Sequence, residues 1–221
     1  MPLYEKNNYP IEEYDQNKNP LKVTIHDTHI ETDEAFYDLT EKFNQIKLIN
    51  CTSPARLTSH VDVEIMDSQL NVFDIEPKDL DIPAKVRNEC IIANSKLKNF
   101  ITREDTISWV GDNSELENVM CHGYITFGPA SRTKNAVIDE TGEAYIRDGA
   151  VIEMLHVRGT VTLDNCDVKS CKIYPGGRVR KLHNCKVEFI RAEAGRNFWS
   201  EVHTVRRKTD NQPIRQDYIV G

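Results

Sequence analysis

The sequence predicts a mainly β protein: a single-stranded parallel β-helix, or β-solenoid, with coils of about 19 residues behind a small α+β cap that contains one helix. The segment 94–100 (NSKLKNF) recurs at 113–119 (NSELENV). A second segment, 165–171 (NCDVKSC), recurs after the same interval at 184–190 (NCKVEFI). In each copy small or apolar residues alternate with charged ones, which is the two-residue period of a strand with one buried face.

Charges at the exposed positions of the repeats also fit stacked coils. Each copy carries the opposite sign from its counterpart, in the pairs Lys96 with Glu115, Lys98 with Glu117, Asp167 with Lys186, and Lys169 with Glu188. Opposite charges on neighbouring strands stabilise a sheet, and like charges destabilise it. These eight residues therefore set the predicted register of the solenoid. The asparagines of the repeats stack as well, which predicts a ladder of side-chain amides.

Composition fits a solenoid and argues against some partners. The chain has 221 residues, of which 39% are hydrophobic and 29% charged, and its net charge is -7. A solenoid needs little core per residue, because each coil buries its inner face against its neighbours. The acidic balance argues against nucleic acid as a partner. No apolar run resembles a signal peptide or a membrane span, so we expect neither.

The six cysteines are expected to be reduced thiols in the core. They form no CxxC pair and no zinc-finger spacing. Cys166 and Cys185 occupy equivalent inward positions one coil apart, where cysteine acts as a small apolar residue. Free thiols indicate folding in a reducing cytoplasm. We expect no bound metal and no other cofactor.

Residues 1–20 predict an extended N-terminal arm. The segment holds three prolines, three tyrosines and four asparagines without periodicity, a composition typical of a segment that becomes ordered on binding. We expect the arm to anchor the chain to a partner subunit through its spaced apolar side chains, which are Leu3, Tyr4, Tyr9, Ile11 and Tyr14.

Residues 21–87 predict an α+β capping or attachment region. A helix is predicted over 33–47, because Thr32 is a suitable N-cap, two acids follow it, and apolar residues recur every three or four positions. Such a helix would cover the exposed edge of the first coil. Alternation predicts strands at 21–30, 60–66 and 68–75.

We expect residues 88–203 to form the solenoid itself, with about six coils. Residues 204–221 are expected to form a basic C-terminal tail. The offset between the two repeated pairs, from Asn113 to Asn165, is not a whole number of equal coils. This offset predicts an irregular coil with an insertion at 128–142, a segment rich in turn residues.

No constellation of residues predicts catalysis. His26 and His29 lie three apart on a predicted strand and point to opposite faces, so they do not share a metal. Asp164 stands one coil from His183, where a corner hydrogen bond is favoured over a catalytic role. The charge columns alternate acid with base, and so they build no acidic cluster of the kind that β-helix glycosidases and lyases use.

Aromatic residues are the candidates for a sugar-binding surface. At strand spacing, however, most of them are expected to lie in the core or in caps. They are Trp109, Tyr124, Phe127, Tyr145, Phe198 and Trp199.

Asparagine columns, inward Cys, Val and Leu residues, and corner glycines such as Gly176 and Gly195 resemble parallel β-helix proteins. A short β-helix behind a small helical segment and a polar arm is similar to the appendage proteins of tailed bacteriophages, namely head fibres, tail fibres and tail spikes. The resemblance spans about residues 88–200 and is one of architecture, so it carries over no functional residue. Hexapeptide acyltransferases differ, because their six-residue spacing of small aliphatic residues is missing here.

The resemblance implies a non-catalytic structural component of a virion: a fibre, attachment or decoration protein that acts through multimeric assembly. Its partners would be other copies of itself, as a trimer, and other virion proteins, with a glycan as the candidate receptor and neither nucleic acid nor membrane. The chain would fold in the host cytoplasm and reside in the virion. Two alternatives are open: a β-helix carbohydrate-active enzyme, such as a lyase or depolymerase, and an intracellular phage-encoded inhibitor that binds a host protein.

Overall fold

The computed structural model of the protein describes residues 10–77 and 87–193, together with the backbone of 217–219. The chain forms a parallel β-solenoid of about eight turns spaced about 18 residues apart. After the first three strands, which lie in one sheet, the strands alternate between two sheets along the chain, and the described residues contain a single helix. The fold class predicted from the repeats is therefore confirmed.

Two long sheets run the length of the solenoid. Sheet A has eleven strands: β1 (Ile11–Tyr14), β2 (Pro20–His26), β3 (Gln45–Ile49), β5 (Asp62–Met66), β7 (Asn88–Ala93), β9 (Thr106–Gly111), β11 (Tyr124–Phe127), β13 (Glu143–Arg147), β15 (Thr160–Asp164), β17 (Arg178–Lys181) and β19 (Asp217–Ile219). Sheet B has eight: β4 (Thr52–Ser59), β6 (Gln69–Ile75), β8 (Lys96–Thr102), β10 (Glu115–Cys121), β12 (Arg132–Ile138), β14 (Val151–Val157), β16 (Asp167–Ile173) and β18 (Lys186–Ala192). Within each sheet neighbouring strands are parallel, except that β1 pairs antiparallel with β2 and β19 with β17.

Most strands of sheet B share one pattern of burial. In β8, β12 and β16 the second, fifth and seventh residues are buried, whereas the first, third, fourth and sixth face outward. The ladder from β8 to β10 pairs Leu97 with Leu116 and Asn99 with Asn118, and passes over the residues between them. The alternation between inward and outward side chains is therefore interrupted once in each strand, so the third and fourth side chains both point outward. The buried residues stack from coil to coil into one continuous core.

The asparagine that opens each repeat forms a corner of the solenoid. The backbone φ angles of Asn94, Asn113, Asn165 and Asn184 are 48°, 65°, 48° and 42°. This is the left-handed region, which Asn tolerates better than most residues. The next residue in each repeat is small and buried, as Ser95, Ser114, Cys166 and Cys185. The left-handed backbone thus accounts for asparagine at these four corners. The predicted amide ladder forms instead at three other asparagines, on the strands of sheet B.

Coil length varies, and the predicted insertion at 128–142 is wrong. Glu115 pairs with Arg132, Arg132 with Val151, and Val151 with Asp167. These three intervals are unequal: the middle one is the longest and the last is the shortest. Three complete coils therefore account for the offset between the repeats. The segment itself contains β12 and the turns on either side of it, so it is an ordinary part of the coil.

The helix α1 (Asp33–Lys42) covers the edge of sheet B, as expected, but ends earlier than predicted. Phe43 has an extended backbone, and the N–H of the next residue donates to the Leu21 carbonyl, which begins β3. Phe36 is fully buried and its ring lies edge-on to that of Phe73 at 6.2 Å. The Asp33 carboxylate accepts a hydrogen bond of 2.9 Å from the N–H of Thr58 in β4. Thr32 makes no side-chain capping bond.

Parallel stacking begins well before residue 88, where the solenoid was expected to start. The first parallel pair joins β2 to β3, so most of the predicted capping region consists of coils. Residues 1–9, including Leu3, Tyr4 and Tyr9, lie outside the described residues. Ile11 and Tyr14 lie on β1, where they are 57% and 45% exposed. This part of the expected arm pairs with the chain's own sheet.

Val168→Asp is expected to abolish cooperative unfolding, because Val168 is 1% exposed and a carboxylate at that position finds no partner. Val187, one coil further, is half-buried against the core, so Val187→Asp should be less damaging. Lys169→Gln on the outer face is the control and should change the free energy of unfolding by less than about 1 kcal/mol. Thermal unfolding followed by circular dichroism compares them. Equal stability of the 168 and 169 variants would contradict the strand assignment.

Candidate functional site

An open groove of about 720 Å³ lies on the outer side of sheet B. Its walls come from the first three residues of the successive strands β6 to β16. Because these strands lie in register, equivalent residues form columns along the solenoid axis, with about 4.8 Å between neighbouring coils. The groove is therefore lined by a repeated pattern of side chains.

The third residues of the sheet B strands from β8 to β18 form a column of alternating charge. Its six members are Lys98, Glu117, Lys134, Glu153, Lys169 and Glu188, and we call them the charged column. Lys134 Nζ lies 3.0 Å from Glu117 Oε1, and Lys169 Nζ lies 2.9 Å from Glu153 Oε1. These lysines lower the pKa values of Glu117 and Glu153 through the hydrogen bonds and their charge. Both carboxylates therefore stay ionised at neutral pH.

The first residues of the strands form a second, less regular column. Lys96 is paired with Glu115 in the ladder, and their side chains lie 3.0 Å apart. Asp167 is likewise paired with Lys186, but the Lys186 ammonium lies 3.5 Å from Glu188 on its own strand.

The residues predicted to pair in the charged column do lie on adjacent coils. Each of Glu117 and Lys169, however, forms its closest contact with the coil on its other side. Lys98 stands one coil before Glu117 and contributes to its lowered pKa, although Glu117 bonds to Lys134. Lys169, expected beside Glu188, bonds to Glu153.

An amide ladder lies beside the charged column, at the fourth residue of three strands. Asn118 Nδ2 donates to Asn99 Oδ1 at 3.1 Å, and Asn135 Nδ2 donates to Asn118 Oδ1 at 3.0 Å. In the next coil Met154 takes this position and is 47% exposed. The ladder holds three coils together through neutral groups.

A buried carboxylate was missed by the sequence reasoning. Asp74 is fully buried, and Arg103 donates to both of its oxygens, at 3.1 and 2.7 Å. Arg56 also donates to Asp74. The bonds to Asp74 raise the pKa of Arg103. Arg56 belongs to the coil before Asp74 and Arg103 to the coil after it, so the ion pairs of Asp74 link three coils.

The acid–histidine column is a corner contact. Asp164 Oδ1 lies 3.5 Å from His183 Nδ1 and accepts the His183 backbone N–H at 3.3 Å, while Oδ2 accepts from Tyr145 at 3.0 Å. The His183 side chain is 84% exposed. A similar contact joins His122 to Asp139 at 3.1 Å in another coil. Each of these contacts joins neighbouring coils, which is the arrangement of a stacking interaction.

Aromatic residues on the outer side of sheet A surround an arginine. The Arg147 guanidinium lies 5.2 Å from the Trp109 ring centre and 5.6 Å from that of Tyr145. The indole also lies against Gly111 and Gly128, where an added Cβ would be 2.7 and 2.8 Å from the ring. Arg147 therefore occupies a surface of Trp109 that a sugar would use. Tyr124 is half-buried on this side, Phe127 is in the core, and Phe198 and Trp199 are outside the described residues.

All six cysteines are buried free thiols, as expected. Burial raises the pKa of Cys121 to about 11 and that of Cys171 to about 12. Cys166 and Cys185 stack one coil apart at a corner, and burial together with its neighbour raises the pKa of Cys166. Because the thiolate is the reactive form, the thiols of Cys121, Cys166 and Cys171 are inert fillers at neutral pH.

Residues 10–77 and 87–193 contain neither a candidate metal site nor a helix that could cross a membrane. Within these residues no three His, Cys, Asp or Glu side chains form a group that could hold a metal ion. His29 instead lies 2.8 Å from the Thr52 hydroxyl. No helix in the described ranges has the length and hydropathy to cross a membrane.

Comparison with known proteins finds no relative. The chain matches no protein-family model, and neither a curated protein nor a solved structure is significantly similar to it.

The stacking of Lys96 on Glu115 is testable by a double-mutant cycle. Lys96→Glu places like charges on adjacent coils and should lower the free energy of unfolding by about 0.5–1 kcal/mol. The double variant Lys96→Glu with Glu115→Lys should recover part of that loss, because the new lysine at position 115 also stands beside Arg132. Urea unfolding of the four proteins gives the coupling energy. No recovery in the double variant would show that the two side chains are not energetic neighbours.

Asp74→Asn keeps the shape of the buried side chain and removes its charge. Hydrogen bonds to charged groups contribute about 1.5–3 kcal/mol, so a loss of this size in the free energy of unfolding is expected. The control is Asp105→Asn at an exposed turn, where Asn also tolerates the backbone φ of 58°. Urea unfolding at neutral pH compares the variants. Equal losses would show that the Asp74 cluster does not stabilise the solenoid.

Proposed function

We propose that this protein is a non-catalytic structural component that acts by assembling into a multimer, of the kind found in tailed-bacteriophage appendages: a fibre, attachment or decoration protein of the virion. The charged column is the observation that carries the proposal. Its lysines and glutamates pair between successive coils, so the solenoid carries a regular charged surface along its length. A regular repeated surface is suited to presentation and assembly.

The state of the carboxylates favours this reading over glycoside hydrolysis. A glycosidase needs one carboxyl group with a raised pKa to act as the general acid. In the groove, Glu117 and Glu153 have lowered pKa values because each accepts a hydrogen bond from a lysine. Their neighbouring column members are also basic, so the charged column brings no pair of acids to a common point.

A carbohydrate-active enzyme is the second candidate, supported by the aromatic residues on sheet A. The Trp109 and Tyr145 rings lie on the outer side, where a glycan could stack. Arg147 already packs on both rings, which supports a structural role for this cluster. The third candidate is an inhibitor that binds a host protein. The net charge of -7 is compatible with it, but no contact among the described residues specifically favours it.

Deletion of residues 2–20 tests the assembly proposal. All four residues of β1 are exposed, so the truncated chain should keep its β-rich circular dichroism and its cooperative melting. If the arm anchors the chain, sedimentation should show the multimer for the full chain and its loss after truncation. Ile11→Ser should weaken the multimer, whereas Glu13→Ser, exposed on the same strand, is the matched control.

Two results would overturn the proposal. The first is a full chain that stays monomeric at every concentration, above all one that cleaves an oligosaccharide. The second is a truncated chain that assembles normally, which would remove the arm as the anchor. For the virion component of the proposal, a tagged copy produced during infection should co-sediment with intact particles. Recovery only in the soluble fraction would contradict it.

A further inference from the structure

We infer that the groove on sheet B is a self-docking surface, in which a second copy of this chain binds antiparallel about a two-fold axis that runs along the strands between β10 and β12. The inference deepens the proposed function and rests on it, because it names one contact within the multimer. The symmetry of the charged column is the first argument.

Reversal of an alternating column about a two-fold axis that lies between two strands brings each charge opposite one of the other sign. A two-fold axis along the strands, placed between β10 and β12, brings β10 opposite β12 of the second copy and β8 opposite β14 of that copy. Glu117 then faces Lys134 of the second copy, and Lys98 faces Glu153 of the second copy. Each contact occurs twice, because a two-fold interface is isologous. Every charged pair in this part of the column is therefore opposite in sign.

The first-residue column decides between this axis and the next one along the solenoid, between β12 and β14. With the axis between β10 and β12, Glu115 faces Arg132 of the second copy and Lys96 faces the uncharged Val151. If the axis moves one coil to lie between β12 and β14, the charged column stays complementary. In that case, however, Glu115 faces Asp167 and Lys96 faces Lys186, which are like charges. Like charges placed opposite each other disfavour a contact.

A parallel arrangement of the same face gives the opposite result. When two copies stand side by side at equal height, Lys98 meets Lys98 and Glu117 meets Glu117. The same holds for a cyclic trimer that uses this face alone. The groove therefore fits an antiparallel pair, while a trimer must use another surface of the solenoid.

The groove does not share the acidic balance of the whole chain. Five basic and three acidic side chains line it, whereas the whole chain carries a net charge of -7. Its volume of about 720 Å³ leaves room for side chains from the second copy. The strands that line it span roughly 24 Å at about 4.8 Å per coil. A contact of this length lies at the small end for specific interfaces, so dimerisation should be weak and should decrease with salt.

Cross-linking between variants with one added cysteine tests the geometry. Lys98→Cys and Glu153→Cys replace exposed side chains, and the six native thiols are buried and do not compete. In the inferred dimer positions 98 and 153 of different copies face each other at about 10 Å, the usual separation of packed sheets, which exceeds the reach of a disulfide but not that of a thiol-reactive cross-linker with a spacer of about 10 Å. Two copies of position 98 are offset by a further three coils, about 14 Å along the solenoid, which places them beyond the linker. The linker should therefore give a covalent heterodimer from a mixture of the two variants and no covalent dimer from either variant alone.

A register control uses Glu188→Cys mixed with Lys98→Cys, which would cross-link only if the axis lay between β12 and β14. Homodimers from either single variant, or a heterodimer with Glu188→Cys, would overturn the inference. If no mixture cross-links although sedimentation shows a multimer, the docking inference fails and the assembly proposal stands. If the unmodified chain is monomeric even at high concentration, both fail.

Discussion

The whole molecule depends on one constraint: each residue lies about 4.8 Å from the equivalent residues of the coils above and below it. A side chain must therefore be compatible with its own column before anything else. Corner positions need a left-handed backbone and often take Asn or Asp, and the position that follows the asparagine corners of the repeats needs a small buried residue, taken as Ser or Cys. Alternating signs let an outward column carry a charge on every coil, and the charged column does so over six coils.

This constraint explains how much of the fold the sequence could predict. The repeats at 94–119 and 165–190 are legible because the intervals within those two pairs happen to be equal. Lys134 and Glu153 belong to the same column, but the steps that lead to them and away from them differ in length. A fixed period therefore misses them and suggests an insertion that does not exist. Turn lengths vary freely, because only the strands are held in register.

Other features could not be predicted because they depend on contacts between distant segments. The apolar stripe through Phe43 and Ile46 suits a helix as well as a strand, and pairing with β2 decides in favour of the strand. Asp74 occupies a strand position that is Ile101 in the next coil, and nothing local shows that two arginines neutralise it. For the candidate site, the sign alternation was visible in four separate pairs. The groove and the continuous column emerge only once the coils are stacked.

Alternation also restricts how such a rod can assemble. Within one chain it turns neighbouring charges into contacts between coils, so the surface is neutralised locally. Between chains the effect of the same pattern depends on direction. A neighbour at equal height places like charges opposite each other, whereas a neighbour reversed about an axis between two strands places opposite charges there. A column of one sign would repel its copy in both arrangements. An uncharged column would not favour one arrangement over the other. The residues that stabilise the coils therefore carry information about symmetry as well, and this links the stability of a solenoid to the geometry of its assembly.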